Sequence, residues 1–238
     1  MVRWILAGLI AVFVILLAPV VWVLVNPTPP PPVLDGLPWQ VERSADGRTS
    51  VFGVAPGHST LDELVAQFGS DHQLAVMQPA ESESALEAFF PDVRAGFVTG
   101  KLVARIASSE AEREAWAKAS PKARYTDSGA RQYPLTSEDA AQARRNTIQA
   151  LSFLPSARLD VDTLLARFGP PVTRLTHDGV EYFLYPDRGL TIALDNTGHA
   201  VFEYVAPTDF ARLTAPLLQN ALTPPPATTT EPDHAADQ

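Results

Sequence analysis

The chain of 238 residues contains no cysteine. That absence excludes disulfides, thiolate chemistry and cysteine-ligated metals, and it removes the amino-terminal cysteine to which lipids are attached. Charge is almost missing from residues 1–34, where Arg3 is the sole charged side chain. An excess of base is lacking as well. With 18 Lys and Arg against 27 Asp and Glu the net charge is −9, which argues against general nucleic-acid binding. Motifs with a known catalytic mechanism are absent too: there is no Gly-Xaa-Ser-Xaa-Gly elbow, no phosphate loop and no metalloprotease helix.

What is present begins with residues 4–25, which carry no charge. At ~1.5 Å per residue such a helix spans ~33 Å, enough for a bilayer core. Trp4 and Trp22 sit near its ends, where indole rings favour the interface, and Pro19 kinks it without preventing insertion. A cleaved signal peptide is the alternative, but its apolar core is shorter and ends at small residues, whereas this one ends Val23-Leu24-Val25-Asn26. The amino group and Arg3 precede the helix, and no Lys or Arg follows until Arg43. The positive-inside bias therefore predicts a single-pass anchor in a bacterial inner membrane, amino terminus cytoplasmic and the bulk of the chain periplasmic. Residues 26–38 hold prolines at 27, 29, 30, 31, 32 and 38 and read as a stiff spacer; a ligand for a proline-binding domain is the alternative.

One stretch is written twice. Residues 61–69 read Leu-Asp-Glu-Leu-Val-Ala-Gln-Phe-Gly and residues 161–169 read Val-Asp-Thr-Leu-Leu-Ala-Arg-Phe-Gly, identical at five of nine positions. Leu64, Phe68 and Gly69 correspond to Leu164, Phe168 and Gly169. Apolar residues at spacings 0, 3, 4 and 7 predict a short amphipathic helix in each copy. Thr60 with Glu63 forms a capping box, Asp160 caps the second copy, and the glycine suits a helix end.

The sequence around each copy predicts strands. Residues 51–54 read as a strand before the first helix; 73–78, 84–90, 93–99 and 101–108 follow it, with turns at Pro91-Asp92 and Thr99-Gly100. In the second half the strands fall at 148–154, 172–176, 180–185, 190–194 and 200–205, and a helical piece at 209–218 ends the domain. The expected organisation is an anchor at 1–25, a linker at 26–38, a first α+β repeat at 39–108, a helical connector at 109–147, a second repeat at 148–222 and a disordered tail at 223–238. The connector carries helices at 109–119, anchored by Trp116, and at about 137–146.

Chemistry is sparse. Lys118, Lys122, Arg124 and Arg131 form a local basic patch, opposed in sequence by Asp127 alone; the readings are a site for an anionic partner or a solvated connector. In the aromatic strand, Glu181, Phe183 and Tyr185 share one face and Val180, Tyr182 and Leu184 the other. The first set is the candidate partner-binding surface if it faces solvent; the competing reading buries both faces. His58 and His72 flank the first helix without a third ligand at metal-like spacing, and His177 and His199 lie beside turns. No cofactor or metal is expected.

The order helix, Phe168-Gly169-Pro170-Pro171, strand, aromatic strand Glu181-Tyr182-Phe183 and strand pair across Asp195-Asn196-Thr197-Gly198 resembles the small outer-membrane lipoproteins of the SmpA/OmlA (BamE) type. More broadly it is similar to the fold of β-lactamase-inhibitor protein, with two tandem helix-plus-four-strand repeats. The resemblance implies a non-enzymatic envelope protein that binds another protein across its sheet. The chain departs from the lipoproteins in lacking the lipidated cysteine and in carrying an anchor. The expected fold is thus α+β: a transmembrane helix, then two tandem helix-plus-antiparallel-sheet repeats. The expected function is a membrane-anchored periplasmic binding or envelope-assembly module, not an enzyme. The alternatives are a stoichiometric inhibitor of an extracytoplasmic hydrolase and a hydrolase using His58 or His177.

Overall fold

The computed structural model describes residues 36–80, 82–126 and 129–222. The anchor expected at 4–25, the linker up to residue 35 and the tail at 223–238 lie outside the described residues. Among the described residues no helix is long and apolar enough to cross a membrane.

The fold is mixed α+β, with five helices and a large antiparallel sheet. A small hairpin, β1 (Glu42–Arg43) and β2 (Thr49–Ser50), precedes α1 (Leu61–Phe68). Strands β3 (Gln73–Gln78), β4 (Ala85–Ala95) and β5 (Val98–Ile106) follow as a meander. Next come α2 (Glu110–Ala119), β6 (Arg124–Tyr125), β7 (Arg131–Pro134) and α3 (Ser137–Ala143). The second half holds β8 (Ile148–Pro155), α4 (Val161–Phe168), β9 (Thr173–His177), β10 (Val180–Tyr185), β11 (Leu190–Leu194), β12 (Ala200–Val205) and α5 (Phe210–Leu222). Ten strands form one sheet in the order β6-β7-β3-β4-β5-β8-β12-β11-β10-β9. Each neighbouring pair is antiparallel.

The twin helices are built alike. Thr60 Oγ1 accepts the Glu63 amide while Glu63 Oε2 accepts the Thr60 amide at 2.7 Å, and Asp160 Oδ1 accepts the Thr163 amide at 2.7 Å. Both helices stop at a glycine with φ +90° (Gly69) or +76° (Gly169) and ψ near 180°, a backbone region open essentially to glycine alone. The apolar stripe of α1 buries Leu61, Leu64 and Val65, and that of α4 buries Leu164 and Phe168. Phe68 differs from its counterpart: it is half-buried, edge-on to Phe52 at 5.9 Å.

Because side chains alternate along a strand, the sheet has two distinct faces. Leu86, Ala88, Phe90, Leu102, Ala104, Leu151, Phe153, Phe202, Ile192 and Phe183 all point to the inner face, where one continuous core also takes Leu64, Trp116, Ala143 and Leu164 from α1, α2, α3 and α4. At its centre the fully buried Tyr204 donates its hydroxyl to Pro38 O at 2.8 Å, tying the entering chain to a strand 166 residues away. Burial with no charged partner pushes the Tyr204 phenol well above its ordinary value. The outer face receives α5 alone among the described helices: Phe210 joins Leu184 and Val205 in a second cluster, with Leu175, Tyr182, Leu213 and Leu217 around it.

Four sequence expectations change. Residues 51–54 are a tight turn rather than a strand, because Phe52 (φ 55°) and Gly53 (φ 77°) are both left-handed and Val51 and Val54 exchange two backbone hydrogen bonds. This drives the Phe52 ring into the core at 1% exposure, against Phe153 and Tyr204. Pro91-Asp92 is no chain reversal: β4 runs on through a bulge between Phe90 and Val93, where a residue without an N–H is tolerated, and the chain reverses near Gly96. Thr99-Gly100 is no turn either: both pair within β5, and the glycine is required there because a Cβ would meet Leu154 O at 2.4 Å and the Phe153 ring at 2.7 Å. Finally, part of the loop between α2 and α3 pairs as the β6–β7 hairpin, which extends the sheet along the outer edge of β3.

Candidate functional site

On the outer face, α5 packs on Leu175, Tyr182, Leu184 and Val205, while Phe89 on β4, Val103 on β5, Leu154 on β8, Ala193 on β11 and Val201 on β12 lie outside the cluster that it forms. In register across this bare area stand Phe89 opposite Val103, Lys101 opposite Leu154, and Ala193 opposite Val201. Phe89, Val103 and Leu154 are half-buried and Val201 is 36% exposed. None of these residues belongs to either hydrophobic cluster. A solvent-facing strand surface ordinarily carries polar residues, so an aromatic and three aliphatic side chains here form an apolar stripe without cover.

Charge borders the stripe. Glu87 on β4 is in register with Arg105 on β5, Arg105 with Ala150 on β8, and Glu203 on β12 with Ser152 on β8. Burial pushes the carboxyls of Glu87 and Glu203 up, and the charge of Arg105 pulls both back only in part. Between these strands and the first turn of α5 opens a cleft of about 470 Å³, lined by Ser84, Arg105, Arg113, Gln149, Glu203 and Arg212 among others. Arg113 is fixed there, its Nε donating to Ser84 Oγ at 3.0 Å and its Nη1 to Ser108 O at 2.6 Å. Arg212 pairs with Asp209 at 3.2 Å.

A second, apolar cleft of about 230 Å³ lies beside α4 on the inner side, lined by Trp39, Phe97, Leu159, Leu164, Arg167 and Phe168 among others. Trp39 stands 5.8 Å from Phe97 and 6.3 Å from Phe168, with the Arg167 guanidinium 5.0 Å from its ring.

The surface read from Glu181, Phe183 and Tyr185 is not a solvent-facing platform. Phe183 is fully buried and Tyr185 is 4% exposed, both on the inner face. The Tyr185 hydroxyl donates to Gly169 O at 2.9 Å at the end of α4. Glu181 is half-buried and accepts from Arg174 Nε at 2.8 Å. The reason is the pleat: residues 181, 183 and 185 face the inner core, 182 and 184 face α5, and β10 is covered on both sides. The marker residues Leu64, Gly69, Leu164, Phe168 and Gly169 are likewise scaffold.

Lys118, Lys122, Arg124 and Arg131 are all exposed but do not converge. Lys118 is in the last turn of α2, and the register of β6 with β7 puts Arg124 and Arg131 on opposite faces of their hairpin. Arg131 lies 5.7 Å from the Tyr125 ring and 6.0 Å from that of Tyr133. His58 is exposed on a turn, and His177 lies at a turn with Asp178 3.3 Å from its Nε2. Ser59 Oγ accepts the Ala55 amide as part of its turn. His72 stacks on Phe90 at 5.1 Å, and burial lowers its pKa. His199 belongs to the β11–β12 turn, where Asp195 accepts from the Thr197 hydroxyl and from the Thr197 and His199 amides. Those bonds hold the Asp195 carboxyl down to about 2.

Against known proteins the chain stands alone. No family model, no curated protein and no solved structure matches it. Glu87, Arg105 and Glu203 were not among the residues singled out in the sequence, although a signal existed: each is a charge between two apolar neighbours of a strand, the alternation that marks the outward face.

Proposed function

We propose that the protein is a membrane-anchored, non-enzymatic binding module of the bacterial envelope, and that it docks a protein partner on the outer face of its sheet. The observation that carries this reading is the bare apolar stripe of Phe89, Val103, Leu154 and Val201 beside the charged residues Lys101, Arg105, Glu87 and Glu203. An apolar centre with a charged rim is the anatomy of a protein interface. The uncharged stretch at 4–25 supports placement at the inner membrane with the domain in the periplasm.

A duplicated architecture supports the same reading. Helix α1 is followed by β3, β4 and β5 and helix α4 by β9 to β12; β8, expected to open the second repeat, stands beside β5 in the sheet and completes a first quartet, which meets the second where β8 pairs with β12. Together with the repeated residues 61–69 and 161–169, this fits two tandem repeats similar in plan to β-lactamase-inhibitor protein and the BamE-type lipoproteins. The first quartet lacks an equivalent of α5 on its outer face, and that is where the partner sits.

The test is site-specific photo-crosslinking of the full-length protein in its native membrane. A crosslinker at Val103 or Val201 is expected to give a discrete adduct that one at Gln67 on α1 does not, and Leu154→Glu is expected to abolish it. Equal labelling at all three positions, or none at any, refutes the docking surface.

A further inference from the structure

The cleft at the rim of this face holds two opposite charges that feel one another but form no ion pair. Arg105 and Glu203 both line it. They stand on β5 and β12, with β8 between them and two residues apart in register, so at the ~4.8 Å spacing of strands and ~3.4 Å rise per residue their backbones are about 12 Å apart. Arg105 takes part in none of the ion pairs found among the described residues, and neither does Glu203. The opposite charges share one polar cavity without touching, with space between them that a small molecule can bridge. The remaining cations are committed: Arg113 is clamped on Ser84 and Ser108, which leaves its Nη2 for the cleft, and Arg212 is held by Asp209. Gln149 adds an amide at the wall.

The chemistry of the lining selects the ligand. Three arginines are balanced by Glu83, Glu203 and Asp209, so neither a simple anion nor a simple cation finds a net opposite charge. A molecule carrying both charges finds each answered: a planar or tetrahedral oxyanion matches the forked guanidinium of Arg105, and an ammonium matches a carboxylate. We propose that this cleft binds a small zwitterion, with its carboxylate or phosphate on Arg105 and the free nitrogen of Arg113 and its ammonium on Glu203. Free amino acids and the headgroup of an aminophospholipid share this chemistry. The site shares Arg105 and Glu203 with the rim of the apolar stripe, but binding of a small molecule to the purified protein is read without the protein partner, so its failure is distinguishable from failure of the docking surface.

Calorimetric titration of the full-length protein in detergent micelles tests it, with alanine, phosphoethanolamine, inorganic phosphate and ethylamine as probes. At least one zwitterion is expected to bind roughly tenfold or more tightly than phosphate and ethylamine, since each of those leaves one charge of the pair unanswered. Preference for alanine assigns the site to amino acids, and preference for phosphoethanolamine assigns it to a lipid headgroup; either result supports the proposal. Glu203→Gln and Arg105→Ala should each weaken the zwitterion by roughly tenfold, and Arg105→Lys by less, because it keeps the charge but loses the fork. Glu203→Gln is near-isosteric, and an unchanged thermal midpoint confirms that the variant is folded. The proposal is overturned if no zwitterion binds below about 10 mM, if phosphate alone matches the zwitterions, or if Glu203→Gln leaves affinity unchanged.

Discussion

The twin phenylalanines that close α1 and α4 provide a sharp quantitative test, because sequence makes them equivalent and structure does not. Phe168 is 2% exposed and wedged against Phe202 at 5.1 Å, Tyr185 at 6.2 Å and Trp39 at 6.3 Å. Truncation to alanine removes a fully buried ring and three aromatic contacts, a change that costs about 3–5 kcal/mol in packed cores. The vacated space joins the apolar cleft of about 230 Å³ that Phe168 already lines, so collapse onto the hole is poor and the cost belongs in the upper half of that range. Phe68 is half-buried and contacts Phe52 at 5.9 Å and Phe90 at 6.4 Å, so Phe68→Ala should cost about 1.5–2.5 kcal/mol. The assay is urea unfolding of the full-length protein in micelles, followed by far-ultraviolet circular dichroism. Midpoints are compared at an unchanged slope, so that the shift reports stability rather than a change in the unfolded chain. Equal costs for the two variants, or a loss under about 1.5 kcal/mol for Phe168→Ala, would falsify the packing described for α4.

Two further outcomes follow from the sheet. Gly100→Ala is expected to destabilise by about 2 kcal/mol or more, because its methyl would overlap Leu154 O and the Phe153 ring at the β5–β8 seam; hydrogen exchange should show faster opening of those two strands than of β10 and β11, and uniform exchange would contradict the seam. The raised Glu87 carboxyl means that the folded state holds a proton more tightly than the unfolded chain, so this contribution is complete below the ordinary value of 4.5 and fades as pH rises through the folded value. Glu87→Gln should therefore gain slightly in stability at neutral pH, by under about 1 kcal/mol at this half-exposed site, and flatten the pH profile of unfolding; a profile identical to that of the parent protein would show that burial does not govern this carboxyl.

Much of the local structure was legible in the residues. The capping box of Thr60 and Glu63 and the cap at Asp160 are formed, because a cap involves groups only three residues apart, and the structure has the same device at Ser109 with Glu112 and at Thr136. The strands at 180–185, 190–194 and 200–205 stand where alternation put them. Turns were harder. Pro91-Asp92 carries a turn composition but sits in a long strand, since pairing with β5 on one side outweighs the local preference and a bulge absorbs the missing donor.

The candidate site was least legible, because each of its properties is a relation between distant segments. Alternation divides β10 into two faces but does not say what lies above each; α4 and α5 decide that, and they bury Phe183 and Leu184 alike. The bare stripe of Phe89 and Val103 exists because α5 packs on one part of the outer face and not on the rest. The cleft exists because β5, β8 and β12, separated in the chain by other helices and strands, lie side by side in the sheet and bring Arg105 and Glu203 to one cavity. By itself the sequence determined the twin helices, their caps and glycine stops and most strand positions, all governed by contacts a few residues long. Tertiary structure alone decided which surfaces are core and which are bare, because burial depends on what other parts of the chain bring to lie against a residue.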